Sequence, residues 1–192
     1  MRISAEESYI QDVAEGFLWG RNLEPFLYPV PPAPRTAVLV TWFRAAVFPP
    51  LLASPPVRIF RNGWGPEAER FQPAAVAGTI SQCRRLARIL IPSLTHALIV
   101  LERPGGIRLT DADRDLFWRA FRVPVFEQII GPSGQLLAGE CEAHDGLHIE
   151  APGLRIDATL VDTSLCPCGR QTPRFGVQAK PALMKSAAAS AG

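Results

Sequence analysis

The stretch GECEAHDGLHIE, residues 139–150, places one cysteine, two histidines and four carboxylates within twelve positions of a chain that has only three histidines and four cysteines in its 192 residues. A second stretch, LCPCGRQTPRF at 165–175, adds two cysteines separated by one proline. Together they offer Cys141, His144 or His148, Cys166 and Cys168: three thiols and one imidazole. Zinc in structural sites takes four such ligands in a tetrahedron, and a Cys3His set leaves no open position for substrate or water. The chemistry expected of these residues is therefore a structural zinc ion. The competing readings are that Cys141 is a small core residue while Cys166 and Cys168 flank a turn proline, or that Cys166 and Cys168 are a redox pair. C-x-C is less diagnostic than paired C-x2-C knuckles, and it lacks the C-x-x-C at a helix start that a reactive dithiol uses.

Strand period bears on the choice of histidine. If Leu147 and Ile149 face a core, His148 faces the opposite side and can reach a site beside the sheet. His144 stands in the Asp145-Gly146 turn and is the alternative ligand. His96 lies in the apolar run HALIVLE and reads as a satisfied buried imidazole, and Cys83 reads as a core residue.

The elements that must position these groups follow from periodicity. Residues 73–78 read as a short buried strand, and SQCRRLARIL then puts Cys83, Leu86, Ala87 and Leu90 on one helical face with the arginines opposite. HALIVLE, 96–102, has strand length and ends in a Pro-Gly-Gly turn. Thr110 can cap a helix through DADRDLFWRAF whose first turn holds Asp111 and Asp113 at the positive end of the dipole. Phe117, Ala120 and Phe121 are its expected buried face. VPVFEQII, 123–130, is a further strand. Strand, helix, strand, helix, strand predicts parallel pairing through right-handed crossovers. GLHIEA and LRIDATLV alternate more cleanly and read as an antiparallel pair joined at Pro152-Gly153. The fold class expected is α/β: a small, mostly parallel sheet with crossover helices, followed by an antiparallel strand pair beside the zinc site.

Upstream, residues 1–65 read as an irregular, proline-rich segment packing on that core. FLYPVPPAPRT must be extended, because each proline ring fixes its own backbone and restrains the residue before it. Residues 37–53 are the most apolar stretch, but Arg44 and Pro49-Pro50 interrupt a run that would need about 20 apolar residues to span a bilayer. No membrane association is expected. The start, MRISAEESYIQD, is acidic where a secretory leader would be basic and then apolar. A cytoplasmic location follows as the expectation, and there thiols stay reduced or bind metal. A formal charge of +2 gives no electrostatic footprint for nucleic acid. Residues 177–192 lack core periodicity and read as a flexible tail. Trp19, Trp42, Trp64 and Trp118 share no spacing and read as core or interface anchors.

The order of motifs over residues 66–176 resembles the phenylacetate-CoA ligase branch of the adenylate-forming enzymes. FQPAAVAGTISQCRRLA and GGIRLTDADRDLFWRAFRVPVFEQ are similar to the segments that lead into that family's active-site motifs. ECEAHDGLHI followed by CPCGRQTPR is the most specific part. The resemblance also favours His148 as the ligand, since the glycine-leucine-histidine element recurs there. It implies a ligase-like α/β domain over 66–176, and it implies a turn bearing a threonine or serine and then a glutamate that holds the magnesium of the nucleotide. The aligned residues here are Ile130, Gly131, Pro132, Ser133 and Gly134, so the turn glycine is kept and the acid is not. A magnesium ion on phosphates is held by one or two carboxylates, and Glu127, upstream on the strand, is a poor substitute. No Ser/Thr/Gly-rich phosphate loop precedes the matching region, and Lys180 and Lys185 lie in the tail segment rather than in a lid. The expected protein is a non-catalytic, zinc-stabilised relative of the ligases, with no catalytic or cofactor-binding residues, acting through association with itself or with a protein partner. The alternatives are a reduced or split ATP-dependent acyl-CoA or acyl-adenylate ligase acting on an aromatic acid, and a module that binds a small aromatic acid through the helix and strand of 110–130.

Overall fold

A computed structural model of the chain describes residues 28–30, 32, 34–39, 57–132, 134–151, 154–157, 160–176 and 182–183. Trp19, Trp42, Ser133, Lys180, Lys185 and most of the 37–53 and 177–192 segments lie outside the described residues. In chain order the elements are strands β1 (Thr36–Leu39) and β2 (Val57–Phe60), helix α1 (Pro66–Phe71), β3 (Ala75–Gly78), α2 (Ile80–Leu86), β4 (Ala97–Glu102), α3 (Asp111–Phe121), β5 (Val125–Ile130), β6 (Leu136–Glu140), β7 (Leu147–Ile149), β8 (Leu154–Arg155), β9 (Val161–Asp162), β10 (Arg174–Phe175) and β11 (Ala182–Leu183).

β4 and β5 are buried along their whole length, as central strands of a sheet covered on both faces must be. The described strands form one nine-stranded sheet, ordered β2-β1-β3-β4-β5-β6-β7-β10-β9, and a separate β8-β11 pair. Pairing is parallel from β2 through β5 and antiparallel from β5 onward. Alternation sorts the side chains: Leu98 and Val100 join Val76, Cys83 and Phe117 in one core layer, whereas Ala97, Ile99 and Leu101 join Val38, Ala77 and Phe126 in the other. A third cluster, Ile129, Leu137, Ala138, Leu147 and Phe175, lies in the antiparallel half.

Both longer helices begin with reciprocal caps. Thr79 and Gln82 form a capping box at α2, and Thr110 and Asp113 form one at α3, each satisfying two backbone N–H groups that a bare helix end would leave unpaired. Arg84 on α2 then grips Asp113 through two contacts of 2.8 and 3.1 Å, which docks one helix start against the other.

Several expectations need correction. α2 ends at Leu86, so Leu90 projects into solvent at 86% exposure rather than joining the buried face. α3 buries Asp113 and Phe117, one helical turn apart, and exposes Ala120, because its contact stripe is narrow. His96 is exposed and pairs through Nδ1 with the Thr95 hydroxyl at 3.0 Å, since β4 begins one residue later. The pairing of GLHIEA with LRIDATLV does not form: β7 lies between β6 and β10, and β8 pairs instead with β11. β6 escaped the sequence reading, although it carries the chain from the β5 edge to the first cysteine of the candidate site.

Candidate metal centre

Cys141 follows β6 directly and opens the turn that returns the chain as β7. The turn closes through a hydrogen bond from the His144 N–H to the Cys141 carbonyl at 3.1 Å. Gly146 is required in it: its φ is +84°, and a Cβ there would stand 2.8 Å from the carbonyl oxygen of Phe175. Only glycine lets β10 approach the turn so closely. In β7, Leu147 enters the third core cluster, so His148 points to the opposite face, as the two-residue period requires. His148 faces Gly139 on β6 and Arg174 on β10. Its position is therefore set from both sides.

Cys166 and Cys168 sit on the tight turn before β10. The Gly169 N–H donates to the Cys166 carbonyl at 2.8 Å, the Cys166 N–H donates to the Arg170 carbonyl at 3.3 Å, and Gly169 adopts φ +84°. Arg174, buried in β10, spans the surroundings: its guanidinium meets Asp145 of the first turn at 3.1 Å, Asp162 at 2.6 Å and the Ser164 carbonyl at 2.8 Å. It thereby ties the turn after Cys141 to the segment that precedes Cys166.

The result brings Cys141, His148, Cys166 and Cys168 together, with one potential ligand atom from each lying within 4.8 Å of all the others. Cys141, Cys166 and His148 are buried, and Cys168 is half-buried. The Cys141 and Cys166 sulfurs are 3.7 Å apart, and the Cys168 sulfur is 3.5 Å from His148 Nε2. In a regular tetrahedron, sulfur at about 2.3 Å and imidazole nitrogen at about 2.0–2.1 Å from a zinc ion give S···S edges of about 3.8 Å and S···N edges of about 3.6 Å. Both distances match those edges. On its far side, His148 Nδ1 lies 2.8 Å from the Thr172 hydroxyl and 3.1 Å from the Thr172 carbonyl. The carbonyl can only accept, so Nδ1 carries the proton and Nε2 presents its lone pair to the sulfurs. A metal-binding histidine is ordinarily held this way.

The thiols differ in their electrostatic surroundings. Burial pushes the Cys141 thiol up to about 12; the Ala143 N–H opposes this, and the thiols of Cys168 and Cys166 add to it. For Cys168, burial also acts upward, but the Arg170 N–H, the thiols of Cys166 and Cys141 and the Arg170 charge outweigh it and hold this thiol below its ordinary range. Three sulfurs this close cannot all ionise without a positive ion among them. Cys83 stands apart in the first core cluster, where burial and then the Glu102 charge raise its thiol.

His144 is not in the group. Its ring stacks on Phe126 with centroids 4.8 Å apart, and its Nδ1 meets Glu140 at 3.2 Å. Glu140 is the hub of a neighbouring network. It takes contacts of 2.9 and 3.0 Å from Arg114 and accepts the Glu127 N–H at 2.9 Å. Glu127, fully buried, is held by Arg108 at 2.6 and 3.0 Å and by the Leu109 N–H at 3.3 Å. At the other end of β5 the chain turns tightly: the Gly131 N–H donates to the Gln135 carbonyl at 2.8 Å, and the Gly134 N–H donates to the Gly131 carbonyl at 3.0 Å.

Thr172, Arg174 and Arg114 were missed by sequence reasoning. Thr172 and Arg174 had a usable signal, since both belong to the same CPCGRQTPR run as the cysteines. Arg114 had none, because an arginine on a charged helix reads as a solvated side chain.

No family model and no curated protein matches the chain. Its fold is found among solved structures. An open conformation of 2-hydroxyisobutyryl-CoA ligase in complex with 2-HIB-AMP and CoA is similar at TM-score 0.56 and 17% identity, over 76% of this chain and 44% of that one. The same ligase in the thioesterification state, with the same ligands, is similar at TM-score 0.54 and 16% identity, over 88% of this chain and 46% of that one. The chain thus has the fold of part of an acyl-CoA ligase and spans somewhat under half the length of those enzymes. Among the described residues, no helix is long and apolar enough to cross a membrane.

Proposed function

We propose that this chain is a non-catalytic, zinc-stabilised relative of the adenylate-forming ligases, of the phenylacetate-CoA ligase type, that acts through association with itself or another protein. The observation that carries the zinc reading is the convergence of four ligand atoms, within 4.8 Å of one another, from residues up to 27 positions apart, with one S···S separation of 3.7 Å and one S···N separation of 3.5 Å that fit tetrahedral edges. A closed Cys3His shell holds structure and offers no site for chemistry. Its ion clips the β6–β7 hairpin to the turn before β10, where short strands supply little hydrogen bonding of their own. The non-catalytic reading rests on the turn after β5. Gly134 supplies no carboxylate for nucleotide-bound magnesium, and Glu127 cannot serve because Arg108 already neutralises it within the core. Elemental analysis of the purified chain and of Cys166→Ser tests the zinc reading, with about one zinc per chain expected in the first and none in the second. Light scattering tests association. A metal-free wild type, or a monomer at every concentration with no partner, ends the corresponding half of the proposal.

A split or reduced acyl-CoA ligase is the second reading, favoured by the partial span: the chain covers 44% and 46% of the two ligases. It requires ATP-dependent release of pyrophosphate with an aromatic acid, alone or with a second chain that supplies the nucleotide site. The remaining reading, a module that binds a small aromatic acid, requires such acids to raise the melting temperature by mass action.

A further inference from the structure

An open groove of about 660 Å³ runs between α3 and the β6–β7 hairpin. Asp111, Asp115 and Trp118 line it from the helix, Glu140 and His144 line it from the hairpin, and residues 123–125 line it between them in the chain. It lies at the start of β5, whereas the turn that the ligase resemblance aligns with nucleotide binding lies at the end of that strand, about 20 Å away at about 3.3 Å per residue. Three carboxylates face the groove together with one cation, Arg114, whose guanidinium is spent on Glu140 and the Val125 carbonyl. Trp118 is half exposed on a helix that buries Phe117 completely. His144 holds Glu140 through Nδ1, and it does so from a left-handed backbone, φ +52°, which a non-glycine residue adopts at a cost.

We propose that this groove is a docking site for an arginine or lysine side chain of a partner protein. An indole face attracts a guanidinium or ammonium group, and Asp111 and Asp115, one turn apart on the same helix, give that group its counter-charge. Charge complementarity disfavours the opposite guest, since among the described residues that line the groove the one basic side chain, Arg114, is already engaged by Glu140 and the Val125 carbonyl. Small molecules are bound in concave pockets that bury most of their surface. This groove is open, so it suits a side chain presented from another surface. The hairpin that forms its second wall, residues 140–148, has two of the candidate metal ligands, Cys141 and His148, as its feet. A metal bound there would fix the feet of this wall of the groove. The proposal deepens the association reading and depends on it for the partner, but the groove can be tested separately.

The probes are short peptides with a central arginine or lysine, each paired with its citrulline or norleucine counterpart. They are titrated into the zinc-loaded full chain while the Trp118 indole N–H, assigned with Trp118→Phe, is followed by NMR. The cationic peptides are expected to shift that signal saturably and the neutral ones to leave it unmoved. Asp115→Asn and Trp118→Ala should each weaken binding at least tenfold while keeping the zinc, and chelation should abolish it. Equal response to charged and neutral peptides, perturbations confined to another surface, or no cationic peptide acting on Trp118 would overturn the proposal. An oligomer or complex that survives in the Asp115→Asn variant removes the groove but leaves the association reading standing. A groove that binds peptides in a chain that neither self-associates nor finds a partner removes that reading instead.

Discussion

Replacing Thr172 with valine isolates the orientation of His148 from every other feature of the candidate metal centre. Valine keeps the shape of threonine and removes only the hydroxyl that lies 2.8 Å from Nδ1. The carbonyl of the same residue, at 3.1 Å, still accepts the Nδ1 proton. The tautomer is therefore retained, and one of two restraints on the ring is lost. Removing an outer partner of a metal-binding histidine weakens metal binding about 10- to 100-fold. With the carbonyl in place the loss belongs at the lower end, about tenfold, or about 1.4 kcal/mol. Thr172 is exposed, so the metal-free chain should be changed by no more than about 0.5 kcal/mol. The assay is competition for zinc against a chelator of known affinity, with parallel unfolding of the metal-free proteins. Thr172→Ser should restore wild-type affinity. An unchanged zinc affinity, or an equal loss of stability with and without metal, would refute the claim that Thr172 aims His148 at an ion.

Chelation of wild type should lower the melting temperature, and Cys166→Ser should melt at the chelated value and be insensitive to zinc; at zinc 100-fold above its dissociation constant the difference is about 2.7 kcal/mol. Arg108→Met should destabilise by about 3–5 kcal/mol in denaturant unfolding, because it leaves the fully buried Glu127 carboxylate without its cation, whereas Arg108→Met combined with Glu127→Leu should recover much of that loss. The Glu102 carboxyl is held above its usual range, first by burial and then by the charge of Glu127, with the Ile80 N–H opposing. A carboxyl with a raised folded pKa contributes stability that is present below its unfolded value and lost as pH rises through the folded one. Glu102→Gln should therefore match wild type in stability near pH 3 and exceed it progressively above about pH 4.3, the ordinary glutamate value. Identical pH profiles for the two proteins would contradict that assignment.

The central architecture was legible because it rests on local rules. An apolar run of strand length such as ALIVL, closed by a Pro-Gly-Gly turn, reads as a covered strand, Thr110 before an acidic first turn announces a helix start, and alternating strands and helices favour parallel order. The four candidate ligands were legible for a different reason: cysteine and histidine are scarce here, and their chemistry narrows what a cluster of them can do. Partners were not legible. β10 is two residues long and β7 three, too short for a period to declare register, so LRIDATLV looked like a better mate for GLHIEA than RF.

Side-chain type by itself determined that this chain holds a zinc-compatible set and a parallel α/β core. The tertiary structure decided which histidine stands among the sulfurs. Strand period and the resemblance favoured 148 but left 144 open; in the fold, Leu147 enters the third core cluster and so turns His148 to the sulfur side of the sheet, while Gly146 lets β10 press against the turn and His144 lies against Phe126 and Glu140. Such choices depend on contacts between residues distant in the chain, where loop closure and packing, rather than local propensity, set the free energy.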